Sequence, residues 1–203
     1  MKNSDIFYIT DTETTGLNPQ TADIIEISIL TVEKQGEGKF AVVDEYDSYI
    51  NPLYPLPPEI VRFNQMYNTG ITDDFLSDKP LAQFVANDIM DIFGRYPIVV
   101  GHNISFDLGF IDKLYRQYLG IPFEYIAKYD TLADCKKVFP NAENHKLATM
   151  FEMSKKEFSS EHPNFHNSLA DCYATLDVLK MLADKEIKDR EERKYKNGFY
   201  RGY

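Results

Sequence analysis

The sequence predicts an α/β domain built on a mixed central β-sheet. Three observations carry that reading. Three strand-like segments joined by short turns occupy the first fifty residues, the pattern of an antiparallel meander. After Asn51 the apolar spacing turns helical, interrupted by one short strand candidate. The chain has 203 residues, 43% of them hydrophobic and 27% charged, which suits one ordinary domain with its own core.

Taken in order, Ile6–Thr10 is a short β-branched run, Asp23–Val32 is rich in Ile and Val, and Phe40–Ile50 is a third strand. Turn residues separate them: Gly16-Leu17-Asn18-Pro19, then Gly36 and Gly38. Pro57–Asn68 and Pro80–Phe93 read as helices opened by proline, which a first turn tolerates. Pro97–Val100 is the isolated strand. Ser105–Leu119 places Leu108, Ile111, Leu114, Tyr115, Tyr118 and Leu119 at helical spacing, with Ser105 available as a cap. Tyr129–Val138 and His145–Met153 read as short helices. Ser168–Ala183 is a strong one, its apolar face made of Leu169, Cys172, Tyr173, Leu176, Leu179 and Leu182. Residues 184–194 are ten charges and Ile187. The expected division is therefore a domain over 1–183 and a charged extension over 184–203.

The formal charge is −10 and the pI near 4.9. Residues 1–127 hold 8 basic and 19 acidic side chains, whereas 128–203 hold 14 and 13. That balance argues against a broad basic face for nucleic acid. It makes the second half, with Lys128, Lys136, Lys137, Lys146, Lys155 and Lys156, the better place to meet a polyanion, although such lysines are also ordinary on solvated helices. Two cysteines are too few for a disulfide framework. The first residues show no secretion signal, and no apolar run approaches the roughly 20 residues that span a bilayer. The expectation is a cytoplasmic protein without a membrane partner.

Three clusters carry chemistry. Asp11 and Glu13 lie two apart at the end of the first strand, so both carboxylates face the same way. Two like charges at the margin of a core repel, and a hard divalent cation is the usual remedy. A solvated strand end is the plainer alternative. The second cluster, Gly101-His102-Asn103-Ile104-Ser105-Phe106-Asp107, joins the isolated strand to a helix. Asp107 there also reads as a simple partner for the helix dipole. In the third, His166 stands just before the strong helix and Asp171 within its first turns, with His162 as a competing histidine. Together, four acids come from three elements, each at a strand end or a helix start. Two divalent ions carry the charge that four carboxylates would neutralise. Ions about 3.5–4 Å apart can clamp the attacking and leaving oxygens of a phosphodiester, and a histidine with a pKa of about 6.5 can take the proton of water.

In this order, Asp11-Thr12-Glu13-Thr14-Thr15-Gly16-Leu17, Gly101-His102-Asn103-x-x-Phe106-Asp107 and His166-x-x-x-x-Asp171 resemble the three motifs of the DEDDh 3′-to-5′ exonucleases. That family has the ribonuclease H-like fold and includes the proofreading epsilon subunit of bacterial DNA polymerase III. Asn68-Thr69-Gly70-Ile71-Thr72, Tyr129-Asp130-Thr131-Leu132 and Asn144-His145-Lys146-Leu147 resemble its intervening segments, so the likeness runs from about residue 5 to 183.

The resemblance implies Asp11, Glu13, Asp107 and Asp171 as ligands of two divalent cations (Mg²⁺ or Mn²⁺) and His166 as general base. It implies Thr14, Thr15 and Leu17 against the terminal nucleotide, with His102, Asn103 and Phe106 lining the cleft. Asp130 and His145 would be structural. The implied activity is hydrolysis of the 3′-terminal phosphodiester of single-stranded or frayed DNA, releasing nucleoside 5′-monophosphates in proofreading or repair. RNA trimming, or a weakly active subunit attached to a DNA polymerase, are the alternatives. With two ions bound, the net charge would be nearer −6. Thr69 stands where the family commonly has His, and Ser168 where it commonly has Ala. None of the ten glycines forms a dinucleotide-binding or phosphate-loop pattern.

Overall fold

The computed structural model describes residues 6–155 and 165–199. Five strands form one sheet: β1 (Ile6–Thr14), β2 (Ile24–Gly36), β3 (Lys39–Tyr49), β4 (Ile98–Gly101) and β5 (Ala127–Asp130). Their order is β3-β2-β1-β4-β5. The pairs β1–β2 and β2–β3 are antiparallel, whereas β4 runs parallel to β1 and β5 parallel to β4. The mixed sheet with an antiparallel meander is thus the one expected. The chain leaves β1 in one direction and returns to its other side at β4. Such a reversal opens a crevice at the carboxyl ends of the two neighbouring strands, and the first two motifs stand at those ends.

Helices cover both faces: α1 (Pro58–Tyr67), α2 (Asp73–Leu76), α3 (Ala82–Phe93), α4 (Ser105–Tyr118), α5 (Thr131–Val138), α6 (Leu147–Ser154) and α7 (Ser168–Phe199). On one face, Ile27, Ile29 and Val99 pack against Val85, Ile89 and Phe93 of α3 and Phe110, Ile111 and Leu114 of α4. On the other, Phe7, Ile9, Leu30, Val32 and Val100 receive Cys172, Leu176 and Leu179 of α7. A further flank of α7, with Ala174, Val178, Met181 and Leu182, packs against α5 and α6. Burying α7 from two sides fixes the helix that carries the third motif.

Several boundaries differ from the sequence expectation. β1 continues through Thr14, so the first motif lies on the strand, with a register shift between Glu13 and Thr14. Tyr129 and Asp130 belong to β5, not to a helix. Ala-Lys-Tyr-Asp has no apolar run, and pairing with β4 makes it a strand. Asp130 then caps α5, accepting from the backbone N–H groups of Leu132 and Ala133. The single turn α2, capped by Thr72, is too short to show periodicity. Tyr173 leaves the expected apolar face of α7: it is exposed, and its hydroxyl donates to Glu45. α7 passes residue 183 without a break, and Arg190 pairs with Glu37 of the β2–β3 turn. Among the described residues, no helix is long and apolar enough to cross a membrane. His162 and Lys156 lie outside the described residues.

Candidate active site

The α7-facing side of β1 changes character along its length. Phe7 and Ile9 sit in the core beneath α7, and the next two residues of that face are Asp11 and Glu13. Their antiparallel partners are Ser28 and Glu26, so Glu13 lies directly across from a second glutamate. Like charges in opposed positions destabilise a sheet. β4 ends beside them at Gly101, where a Cβ would come within 2.7 Å of Ile104 Cδ1 and 3.1 Å of the Thr10 carbonyl oxygen. Glycine is needed there for the backbones to approach and for α4 to start at the crevice. Asp107, in the first turn of α4, is buried, and its Oδ1 accepts from Thr12 Oγ1 at 2.8 Å.

The third motif closes the group. Donor atoms of Glu13, His166 and Asp171 lie within 4.8 Å of one another. The His166 backbone N–H donates to Asp171 Oδ2 at 3.3 Å, whereas the buried Asp171 Oδ1 has no protein partner. His166 adopts φ 69°, a left-handed conformation uncommon among non-glycine residues, of which histidine, with asparagine and aspartate, is one of the more frequent. Its ring packs against Tyr67 at 4.0 Å and Phe63 at 5.0 Å, both from α1.

The electrostatics follow from this crowding. Burial, then Asp107, Asp171, Glu13 and Glu26 in turn, push Asp11 well above the usual carboxylate range. Burial, followed by Asp171, Glu26 and Asp107, raises Glu13 to about 8. Asp107 and Asp171 are also raised, chiefly by burial. Burial holds His166 below its ordinary value, so the imidazole is neutral at pH 7. Four carboxylates that resist ionisation together, one with an orphaned buried oxygen, make an all-oxygen donor set that fits hard divalent cations. Cys172 lies under this group. Its Sγ–H donates weakly to the carbonyls of Ile9 and Ser28, and burial followed by the nearby acids drives its pKa upward.

The residues around the cluster divide into two kinds. Leu17 is 85% exposed, on the loop just past β1. Asn103 is exposed at φ 75°, and its N–H donates to Asp130 Oδ1. Phe106 packs on Phe110. Thr14 Oγ1 donates to the Gly16 carbonyl, and Thr15 Oγ1 accepts from the Asp23 N–H and bonds Tyr54. His102 differs from the expectation of a cleft-lining side chain. Both ring nitrogens are engaged internally, Nδ1 with Thr131 Oγ1 at 2.9 Å and Nε2 with the His145 carbonyl at 2.8 Å. Its imidazole braces β4 against α5 and the loop before α6, leaving no ring nitrogen for a ligand. His145 Nε2 bonds the Phe139 carbonyl, in keeping with a structural part. The two departures in sequence are accommodated locally: Thr69 Oγ1 accepts from the Ile71 N–H, and Ser168 Oγ bonds Ser28 Oγ at 2.6 Å.

Residues 8–179 match the model of the Exonuclease family. The chain belongs to the exonuclease family. Its likeness to the DEDDh exonucleases and its ribonuclease H-like architecture therefore stand together. Over 188 residues this exonuclease is 32% identical to the PolC-type DNA polymerase III of Bacillus subtilis (strain 168), covering 93% of this chain and 12% of that one. It is 31% identical over 190 residues to the same polymerase of Oceanobacillus iheyensis. It thus spans about an eighth of the length of the curated relatives it matches. Among solved structures, E. coli exonuclease I in complex with a dT13 oligonucleotide shares the fold at TM-score 0.70 and 19% identity, over 93% of this chain and 43% of that one. Exonuclease X in complex with 5′ overhanging duplex DNA does so at TM-score 0.60 and 22% identity, over 88% and 91%.

Sequence reasoning missed Glu26, Tyr67 and Phe63. A lone glutamate inside Ile24-Ile25-Glu26-Ile27-Ser28-Ile29-Leu30 was the available signal for the first. The aromatics carried no local one.

Proposed function

We propose that this exonuclease removes nucleotides from the 3′ end of single-stranded or frayed DNA. The observation that carries the reading is the convergence of Glu13, His166 and Asp171 on one point, beside the half-buried Asp11 and the buried Asp107, at the carboxyl ends of β1 and β4. Asp11, Glu13, Asp107 and Asp171 would hold two divalent cations, Mg²⁺ or Mn²⁺, which when bound activate water and stabilise the departing oxygen. The neutral His166 imidazole accepts the proton of the attacking water. Water oxygen bonds to phosphorus, and the P–O3′ bond breaks. The 3′-oxygen stays with the shortened strand and takes up a proton, and the nucleotide leaves as a 5′-monophosphate. Leu17, exposed on its loop, presses on the terminal base, while backbone groups of Thr14 and Thr15 face the 3′-hydroxyl. Asn103 and Phe106 line the opposite wall. Lys136, in the last turn of the α5 helix that His102 braces, is the lysine that would meet the strand's phosphates.

A 5′-labelled oligonucleotide in Mg²⁺ or Mn²⁺ tests the proposal. A ladder shortening one nucleotide at a time from the 3′ end, stopped by chelation, is the expected result. Intact label throughout, or loss of label as the first product, would overturn it. The same assay with RNA of equal sequence decides the sugar preference, which rests on contacts to the 2′-hydroxyl. The match to about an eighth of a replicative polymerase favours a second role alongside catalysis, as a nuclease that works in a polymerase assembly. A partner that supplies DNA affinity would make up for the net charge of −10.

A further inference from the structure

Glu26 is fully buried, lies across β1–β2 from Glu13, and is not among the three residues whose donor atoms converge. Its carboxylate engages the start of α7. Asn167 Nδ2 donates to Glu26 Oε1 at 2.6 Å and to Tyr49 Oη at 3.2 Å, while Asn167 Oδ1 accepts the Ala170 N–H as the cap of α7. Ser168 is tied to the same strand through Ser28, and Ser28 Oγ donates to Asp47 Oδ1. Asn167 immediately follows His166, whose left-handed backbone is one that non-glycine residues keep only when their surroundings hold them. A buried charged group is costly unless it is bonded: Glu26 Oε2 has no hydrogen-bond partner, Tyr49 and Ser168 stand near enough to favour the charged carboxyl, and Oε1 is held by the residue beside the proposed base.

We propose that Glu26 is a positioning residue: through Asn167 it fixes the His166 backbone so that the imidazole faces the acids. This rests on the functional reading above. The strut runs from the sheet to Asn167 and from there to His166. Tyr67 and Phe63 hold the ring from the α1 side, so removing the strut frees the backbone while the ring keeps one wall.

The test uses single-turnover cleavage of a 5′-labelled oligonucleotide by the full chain. Asn167→Asp keeps the oxygen that caps α7, removes the amide donor and sets two carboxylates face to face. It is expected to lower kcat on the order of 10²-fold, the scale of a small misplacement of a reacting group, with KM within about twofold. Adding Glu26→Gln restores an amide–carboxylate pair in reversed order and is expected to recover at least about tenfold of the rate. In a His166→Ala background, Asn167→Asp is expected to cost no more than about twofold, because residues that act as a unit are not additive. A purely structural role would multiply the two losses and leave the exchange without rescue; either result overturns the proposal, as does an unchanged rate in folded Asn167→Asp protein. Wild-type protein that fails to shorten the oligonucleotide would instead count against the functional reading.

Discussion

The two helices that bring acids to the crevice reach it in different ways. α4 follows directly from β4, and its approach is fixed mainly by backbone, a parallel strand register and a glycine at the closest contact, with the His102 imidazole bracing the turn between them. Asp107 arrives buried and bonded to Thr12. α7 is instead anchored at its start by side chains, Asn167 on Glu26 and Ser168 on Ser28. Asp171 there keeps one oxygen without a protein partner. The difference teaches where precision comes from. One half of the site is set by sheet geometry, while the other hangs from a buried polar network whose loss need not disturb the fold.

The largest expected effects ignore this distinction. Asp11→Ala and Asp171→Ala should each lower the cleavage rate by more than about 10³-fold, since a missing carboxylate uncovers charge that the site must balance. A modest loss in either, in quantitative gel assays, would remove that residue from the machinery. Next, His166→Ala should cost about 10²–10⁴-fold while leaving the melting temperature and the Mg²⁺-induced stabilisation in place. Thr12→Val, which takes away the bond to Asp107, should cost only about tenfold, because the β4–α4 backbone still delivers the acid. A Thr12→Val loss as large as that of His166→Ala would break the contrast between the two halves.

Stability against pH sharpens it further. Glu13 holds its proton more tightly in the folded protein, at about 8, than in the unfolded chain, near 4.5. Its contribution is therefore fully present at low pH and lost as pH rises from about 4.5 to 8. Chelated protein should lose on the order of 2–4 kcal/mol over that range, and added Mg²⁺ should restore more at pH 8 than at pH 6. A melting temperature in chelator that stays flat from pH 5 to 8 would refute this. The smallest effect is expected from Lys136→Ala: a few-fold rise in KM at low salt, and a salt slope shallower by about 0.7, the contribution of one phosphate contact to a single strand. An unchanged slope would place that lysine outside the DNA path.

How much was legible in the sequence follows the same division. Asp11, Glu13, Asp107, His166 and Asp171 could be read because each belongs to a short motif whose spacing reports a strand or a helix start. The meander and the strong helix could be read from period and turn residues. Asn167 meets Glu26 across 141 residues, and nothing in either neighbourhood announces the other. β5 stayed hidden because its strand character comes from the partner and not from its own composition. The partners of the His102 ring stayed hidden for a related reason. Its motif says where the backbone runs, whereas the fate of its ring is decided by Thr131 and His145 on other elements.

Cys172 bears on which metals such a site can accept. Its sulfur bonds the Ile9 carbonyl, two residues before Asp11 on β1, and a thiolate there would favour ions such as Zn²⁺ or Cu⁺. Burial, followed by the nearby acids, pushes the thiol's pKa upward, and the sulfur is turned toward two carbonyls. Among the described residues, the donor atoms that converge are carboxylate oxygens and the His166 imidazole, with the Cys172 thiol buried beneath them and bonded elsewhere.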